Sequence, residues 1–398
     1  MDLVSDRIKN MAESATLAMA AKAREYKAQG KAVISLSLGE PDFKTPRHIQ
    51  EGAKAAIDEQ KYFSYPPVNG YADVRQAISD KFKRENGLDY GPNQIVISNG
   101  AKQSIANVMM ALLNKGDEVV VFSPFWVSYS ALIELAGGTP VYVKGGIESD
   151  FKVTPEQLSA AITDKTKAVI YSSPCNPTGS VFTKEELTAL AEVIKAHDNI
   201  IVIADEIYEL INYTGAHASM GAIEGMLERT VTVNGMAKGF AMTGWRVGYL
   251  GAPQWLAKAC NKIQGQFTSA NCGIAQRAAL TALTSDLQPS HDMATEYLRR
   301  RDLVKELLDS IPGFKTNLPK GAFYFFPDVS AWFGKSDGET TINNASDFCM
   351  YLLDHAHVSL VTGEAFGDPN CIRLSYAASE ADLREAVTRI KAALSKLS

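Results

Sequence analysis

No two glycines are separated by exactly one intervening residue anywhere in the sequence. The G-x-G-x-x-G turn of dinucleotide-binding folds is therefore excluded, together with the glycine loop of kinases. A G-x-x-x-x-G-K-[ST] phosphate loop is missing too, so a nucleotide held in the usual ways is not expected. Cysteine is scarce: Cys175, Cys260, Cys272, Cys349 and Cys371 are odd in number, scattered and without a C-x-x-C pair. That argues for reduced thiols in a cytoplasmic protein rather than a disulfide scaffold. No run of about 18 apolar residues exists, and the acid-containing start Met1-Asp2-Leu3-Val4-Ser5-Asp6-Arg7 has no apolar stretch. Neither a membrane helix nor a signal peptide is expected. A basic excess is also lacking, with 40 Lys and Arg against 45 Asp and Glu and a formal net charge of −5. No nucleic-acid footprint goes with such a balance. His355-Ala356-His357 lacks the third and fourth ligands that a metal centre needs, so no metal is expected there.

What is present is an average globular mix over 398 residues, 46% hydrophobic and 21% charged, which suggests about two domains. Short β-branched runs recur at Ile95–Ile97, Val119–Phe122, Val141–Val143, Ala168–Tyr171, Ile200–Ala204 and Thr230–Val233. They are apolar throughout rather than alternating, as strands buried on both faces are. Helix-length segments at 102–114, 126–136 and 183–197 lie between them. The alternation predicts an α/β fold with a mostly parallel central sheet flanked by helices. Arg246–Leu250 reads as a further strand. Beyond about 290 the pattern changes to a long charged helix over 289–310, the apolar run Gly321–Phe326, a helix over 344–355, a strand over 371–375 and a last helix over 379–395. This predicts a smaller α+β domain, which the first 40 residues either join or leave for a partner chain.

Three polar segments come directly after strand-like runs. They are Ser172-Ser173-Pro174-Cys175-Asn176-Pro177-Thr178-Gly179, Asp205-Glu206-Ile207-Tyr208, and the stretch from Asn234 through Lys238 to Arg246. Singly each has a plain reading, as turn chemistry or as a helix cap. Together they bring an amide, a carboxylate, a phenol, an amine and a guanidinium to one edge of a sheet, where such folds bind ligands.

These segments resemble those of class I aminotransferases, the aspartate aminotransferase group of fold-type I pyridoxal-phosphate enzymes. The similarity extends to Ser37-Leu38-Gly39-Glu40-Pro41-Asp42-Phe43, Tyr65-Pro66-Pro67-Val68-Asn69-Gly70, Gly100-Ala101-Lys102-Gln103, Ser123-Pro124-Phe125-Trp126 and Arg373-Leu374-Ser375-Tyr376. It implies pyridoxal 5'-phosphate as cofactor, held as an imine by Lys238, a reaction alternating between two half-reactions, and a homodimer with shared sites. It also implies a large cofactor domain over 45–290 and a small domain built from 1–44 and 291–398. By the same resemblance Asp205 faces the cofactor ring nitrogen, Tyr208 and Asn176 donate to its phenolic oxygen, and Trp126 stacks on the ring. Gly100, Ala101, Lys102 and Arg246 cradle the phosphate, with Tyr65 reaching it from the neighbouring subunit. A buried carboxylate favours a protonated ring nitrogen, and donors to the phenolic oxygen lower the imine pKa. Many relatives carry serines at the positions of Gly235 and Ala237, so this chain lacks two hydroxyls of that cradle.

For the substrate, the resemblance gives Arg373 the α-carboxylate, which a guanidinium fork suits. Gly39, Asn176 and Trp126 lie with it. Lys102, with Ser14 and Thr16 in Ser14-Ala15-Thr16, is associated with acidic side chains. Some relatives that also accept prephenate carry a basic residue just before that segment. Ala12-Glu13 stands there, so weak prephenate use is expected. The expected activity is aspartate with 2-oxoglutarate. A broad or aromatic aminotransferase, a pyridoxal-phosphate lyase and a pyridoxal-phosphate-binding transcription regulator are the alternatives. No DNA-binding head is expected before the first aminotransferase-like segment, and neither nucleic acid nor membrane is an expected partner.

Overall fold

A computed structural model describes residues 3–9, 11 and 13–398. Ala12, which bears on prephenate, lies outside the described residues, as do the first two residues of the 1–44 segment. A short strand β1 (Ile34–Ser35) comes first. Seven strands then build the main sheet: β2 (Ile95–Asn99), β3 (Glu118–Ser123), β4 (Thr139–Lys144), β5 (Thr166–Ser172), β6 (Ile201–Asp205), β7 (Thr230–Gly235) and β8 (Val247–Gly251). Their order across the sheet is β2-β8-β7-β6-β5-β3-β4. Neighbours from β7 to β4 pair in parallel, whereas β8 is antiparallel to both β7 and β2.

Apart from the edge strand β4, where Tyr142 is 50% exposed and only Val143 is buried, the apolar runs form strands because both faces are covered. Val119 and Val121 pack with Val108, Met109 and Leu256, from the helices Ala101–Leu112 and Gln254–Phe267. Val120 points the other way, onto Leu187, Leu190 and Ile194 of the helix Lys184–Lys195. The alternation of facing side chains is the period-2 geometry of a strand, hidden in composition because both layers are apolar. Thr183 and Glu186 cap that last helix reciprocally, which sets where it starts.

The direction of β8 decides which residues meet at one edge of the sheet. In parallel strands β2, β3, β5, β6 and β7 the carboxyl ends share that edge. Running backwards, β8 brings its first residue to it as well, with Asn99 opposite Val247 and Gly235 opposite Gly248.

The smaller part begins with the helix Gln288–Asp309 and adds β9 (Tyr324–Phe325), β10 (Val358–Ser359), β11 (Val361–Thr362) and β12 (Ile372–Ser375). Strands β11, β12 and β9 form an antiparallel sheet. β1 pairs in parallel with β10, Ile34 opposite Val358, so the early chain returns to the late one. Phe323, Phe325, Phe348, Leu352, Leu374 and Ile390 form the core there. The apolar run at 321–326 yields a strand of two residues, since Ala322 takes a left-handed backbone with φ 55°. Trp126 likewise precedes its helix, which spans Ser128–Leu135, and stays at the sheet edge.

An ionic clamp ties the segment after β1 to the long helix. Arg300 Nη1 donates to both Asp42 oxygens at 2.8 and 2.9 Å, and its Nε donates to Glu296 at 2.8 Å. The Arg299 and Arg300 guanidiniums hold the Glu296 carboxyl down at about 2. A carboxyl lowered in the folded state contributes stability that is full above its unfolded value near 4.5 and fades as pH falls toward 2. We predict that Glu296→Gln narrows the loss of Tm between pH 7 and pH 3 relative to the parent. Equal losses in a thermal scan at the two pH values would contradict the clamp.

Candidate active site

These strand ends open on a cavity of about 300 Å³. Ala101 and Lys102 come after β2, Trp126 after β3, and Asn176 after β5. Asp205 ends β6, Lys238 comes after β7, and Arg246 precedes β8; all line the cavity. Gly39 reaches it from the segment after β1, and Arg373 from β12.

Two of these groups are cations turned inward. Arg373 is 2% exposed. Its Nη1 donates to Asn176 Oδ1 at 2.9 Å and its Nη2 to the Ser37 carbonyl at 2.6 Å, while Nε has no partner. Lys238 Nζ donates to the Gly39 carbonyl. Neither cation forms an ion pair among the described residues. Burial, then the positive charge of Arg373, pulls the Lys238 ammonium down to about 8. An amine so shifted spends part of its time neutral near physiological pH, the state a nucleophile or base requires.

Asp205 supplies the opposite case. It is 4% exposed, its Oδ2 accepts the Tyr129 hydroxyl at 2.6 Å, and its Oδ1 accepts the Ile207 N–H at 3.3 Å. Burial outweighs those donors and pushes the carboxyl up to about 6. No ion pair holds it among the described residues, so a cation arriving in the cavity would stabilise its charged form. Behind it the turn is pinned by buried charge: Ser219 Oγ donates to Glu206 at 2.7 Å, His217 Nε2 lies 2.9 Å from Glu206, and Lys81 pairs with Glu209. Tyr208, on this turn, is buried and shares a 2.7 Å hydrogen bond with Tyr324.

The third feature is an anion cradle. Gly100 caps the helix Ala101–Leu112 with φ +83° and no side-chain cap, leaving first-turn N–H groups open. Arg246 holds a left-handed φ of 58°. It donates from Nη1 to the Thr243 carbonyl at 2.9 Å and from Nη2 to the Asn99 carbonyl at 3.2 Å. Its guanidinium lies against Gly100, where any Cβ would overlap it. The Gly235 position has a steric account as well: a Cβ there would stand 2.8 Å from Gly248 Cα and from the Val247 carbonyl. Strands β7 and β8 approach too closely for serine. Ala237 does line the cavity, so only its hydroxyl is missing.

Lys102 sits with Nζ 5.0 Å from the Trp126 ring, and burial, then Arg246, lowers its pKa. Ser14 and Thr16 line the same wall, and Thr16 Oγ1 is buried without a partner. Tyr65 is not brought to this cavity; it is 94% exposed. Sequence reasoning missed Glu40, Tyr129, Thr243 and Tyr324, all of which line the site. Tyr129 carried a usable signal, three residues after Trp126 on the strand-end loop. Tyr324 was hidden inside an aromatic run that reads as plain core.

The family model described as aminotransferase class I and II matches residues 31–390. A bifunctional aspartate aminotransferase and glutamate/aspartate-prephenate aminotransferase of Petunia hybrida is 46% identical over 98% of this chain and 82% of that protein. An aspartate/prephenate aminotransferase of Cereibacter sphaeroides is 45% identical over the whole of both. Among solved structures, the aspartate aminotransferase of Rhizobium meliloti superposes with a TM-score of 0.96 at 40% identity over all of both chains. The chain belongs to the class I and II aminotransferases, a pyridoxal-phosphate-dependent family. The residues fit that cofactor on their own chemistry: an unpaired buried acid, an amine at about 8, an open helix start with an arginine, and a buried guanidinium with a free N–H.

Gly248 is the backbone contact on which the cradle rests, since a Cβ there would overlap the Ala101 nitrogen. We predict that Gly248→Ala lowers Tm by several degrees and weakens pyridoxal-phosphate binding at least tenfold. Gly244→Ala, which meets nothing within 4 Å, leaves both unchanged. Tight cofactor binding by Gly248→Ala in a fluorescence titration would contradict this account.

Proposed function

We propose, from membership of that family, that the protein is an aspartate aminotransferase, converting aspartate and 2-oxoglutarate to oxaloacetate and glutamate. The observation that carries the reading is the pairing of buried Arg373, free at Nε, with a second cation, Lys102, across the same cavity. Two cations on one pocket suit a substrate with two carboxylates. The Petunia, Cereibacter and Rhizobium relatives share the activity in their names.

In this reading Arg373 and Asn176 take the α-carboxylate, and Lys102, with Ser14 and Thr16, takes the distal one. Bound pyridoxal phosphate supplies an aldehyde for the amino group and a ring that draws electrons from the substrate Cα. Ala101, Lys102, Gly100 and Arg246 would hold its phosphate, Asp205 would accept from its ring nitrogen, and Tyr208 and Asn176 would donate to its phenolic oxygen. Trp126 would pack against the ring. Lys238 would hold the cofactor between turnovers and, once the substrate amine takes its place, its neutral Nζ would take the proton from the substrate Cα and return it on the far side of the nitrogen. Oxaloacetate leaves, and 2-oxoglutarate retraces the path to leave as glutamate. The net exchange is one amino group for one carbonyl oxygen.

The reading extends to a large unit over 45–290 and a small unit from 1–44 with 291–398, supported by the pairing of β1 with β10. It extends also to a homodimer in which Tyr65 completes the partner's phosphate site. Tyr65 at 94%, Phe63 at 64% and Phe267 at 63% exposure are aromatic surface that a second copy would cover. A cytoplasmic setting is supported by five free cysteines, four of them buried thiols. Among the described residues no helix is long and apolar enough to cross a membrane.

A donor panel with 2-oxoglutarate tests the assignment. Aspartate should exceed tyrosine and alanine in kcat/KM. Lys102→Ala should lower the value for aspartate about tenfold or more, the scale of a charged hydrogen bond, and leave alanine unchanged. Tyrosine or alanine outpacing aspartate would sink the assignment, and prephenate turned over as fast as oxaloacetate would sink the expectation drawn from Ala12-Glu13.

A further inference from the structure

We propose that Tyr324 is a positioning residue for transamination: its hydroxyl fixes that of Tyr208 so that the Tyr208 proton faces the cavity, and its ring holds Arg373. The inference rests on the aminotransferase reading above.

Tyr208 and Tyr324 come from different parts of the chain, one on the turn after β6 and the other on β9. Both are buried and both line the cavity. Their oxygens are 2.7 Å apart. Two phenols carry two protons, and one hydrogen bond uses only one of them. Neither hydroxyl has a further protein partner among the described residues, so the second proton is offered to whatever occupies the cavity. Either oxygen can donate in that bond. In the aminotransferase reading the Tyr208 proton goes to the phenolic oxygen of the cofactor, which leaves Tyr324 as the donor within the pair. Arg373 lies beside them, its Cζ 4.7 Å from the centre of the Tyr324 ring. Donation into Tyr208 also polarises that phenol and strengthens its outward bond.

The same residue touches the rest of the constellation. Its hydroxyl lies so close to Gly39 that a Cβ there would overlap it, and the Gly39 carbonyl is the acceptor for Lys238. A single side chain on the smaller sheet thus sets Tyr208, Arg373 and the Gly39 backbone.

Removing the hydroxyl and removing the ring separate these tasks. In holoenzyme, Tyr324→Phe should raise the pH midpoint of the cofactor absorbance change by about half a unit, since a weaker donor to the phenolic oxygen raises the pKa of the attached nitrogen. It should leave the Kd of maleate, an unreactive dicarboxylate, within about twofold, because the ring remains. Tyr324→Leu should shift the midpoint similarly and weaken maleate about fivefold, the scale of one lost cation–π contact. A midpoint for Tyr324→Phe equal to that of the parent overturns the proposal, as does maleate binding lost equally in Phe and Leu variants. A parent protein with no pyridoxal absorbance overturns the aminotransferase reading beneath it as well.

Discussion

A buried guanidinium and a part-buried ammonium face one cavity, and their hydrogen-bond partners are neutral. Arg373 rests on an amide and a carbonyl, and Lys238 on a carbonyl. Burying charge without a counter-ion costs free energy, and the protein bears that cost where ligands will offset it. The mutual repulsion has a use, because it helps bring Lys238 down to about 8 and so makes a neutral amine accessible. Asp205, pushed up to about 6 by burial, is the complementary case of opposite sign. Under the proposed function, anions at one end and a protonated ring nitrogen at the other would satisfy all three groups together.

The fold serves this arrangement through direction and through close approach. An all-parallel sheet would carry the start of β8 to the far edge. Its reversal brings Arg246 to the carboxyl ends of the other strands. Gly100 and Gly248 then let a helix start, a strand and a guanidinium occupy space that a methyl group would claim. At Gly235 the same crowding of β7 on β8 leaves no room for a serine. The cradle thus relies on backbone N–H groups and on Arg246. The second contribution comes from the return of both chain ends, which carries Gly39 and Arg373 to the cavity from residues more than three hundred apart in sequence.

Much of this was legible in the residues. Strands β3 and β5 to β7 announce themselves as β-branched runs because burial on both faces removes any need for polar alternation. Asp205, Lys238 and Arg246 stand out since polar groups directly after such strands have little structural reason to be there. Tyr324 was not legible in that way, and Tyr129 only through its closeness to Trp126. The Tyr324 ring is a core residue by every local measure, and only tertiary structure brings its oxygen to the cavity. The two-residue length of β9 was hidden for a similar reason, the left-handed turn at Ala322 being a backbone event that an apolar run does not signal. Tyr65 is a different case. It lies on the surface, 94% exposed, and the role proposed for it calls for a second copy of the chain.

The central claim is that the charge left unmet by the protein is met by a cofactor and a dicarboxylate in a reaction of two halves. Its most direct test is a single half-reaction. The holoenzyme is mixed with aspartate and no 2-oxo acid, and its absorbance and the oxaloacetate released are tracked together. The account predicts one oxaloacetate per subunit, a full change of the cofactor spectrum, and reversal on adding 2-oxoglutarate. Continuous product release without a 2-oxo acid, or a spectrum that aspartate leaves unchanged, would contradict it.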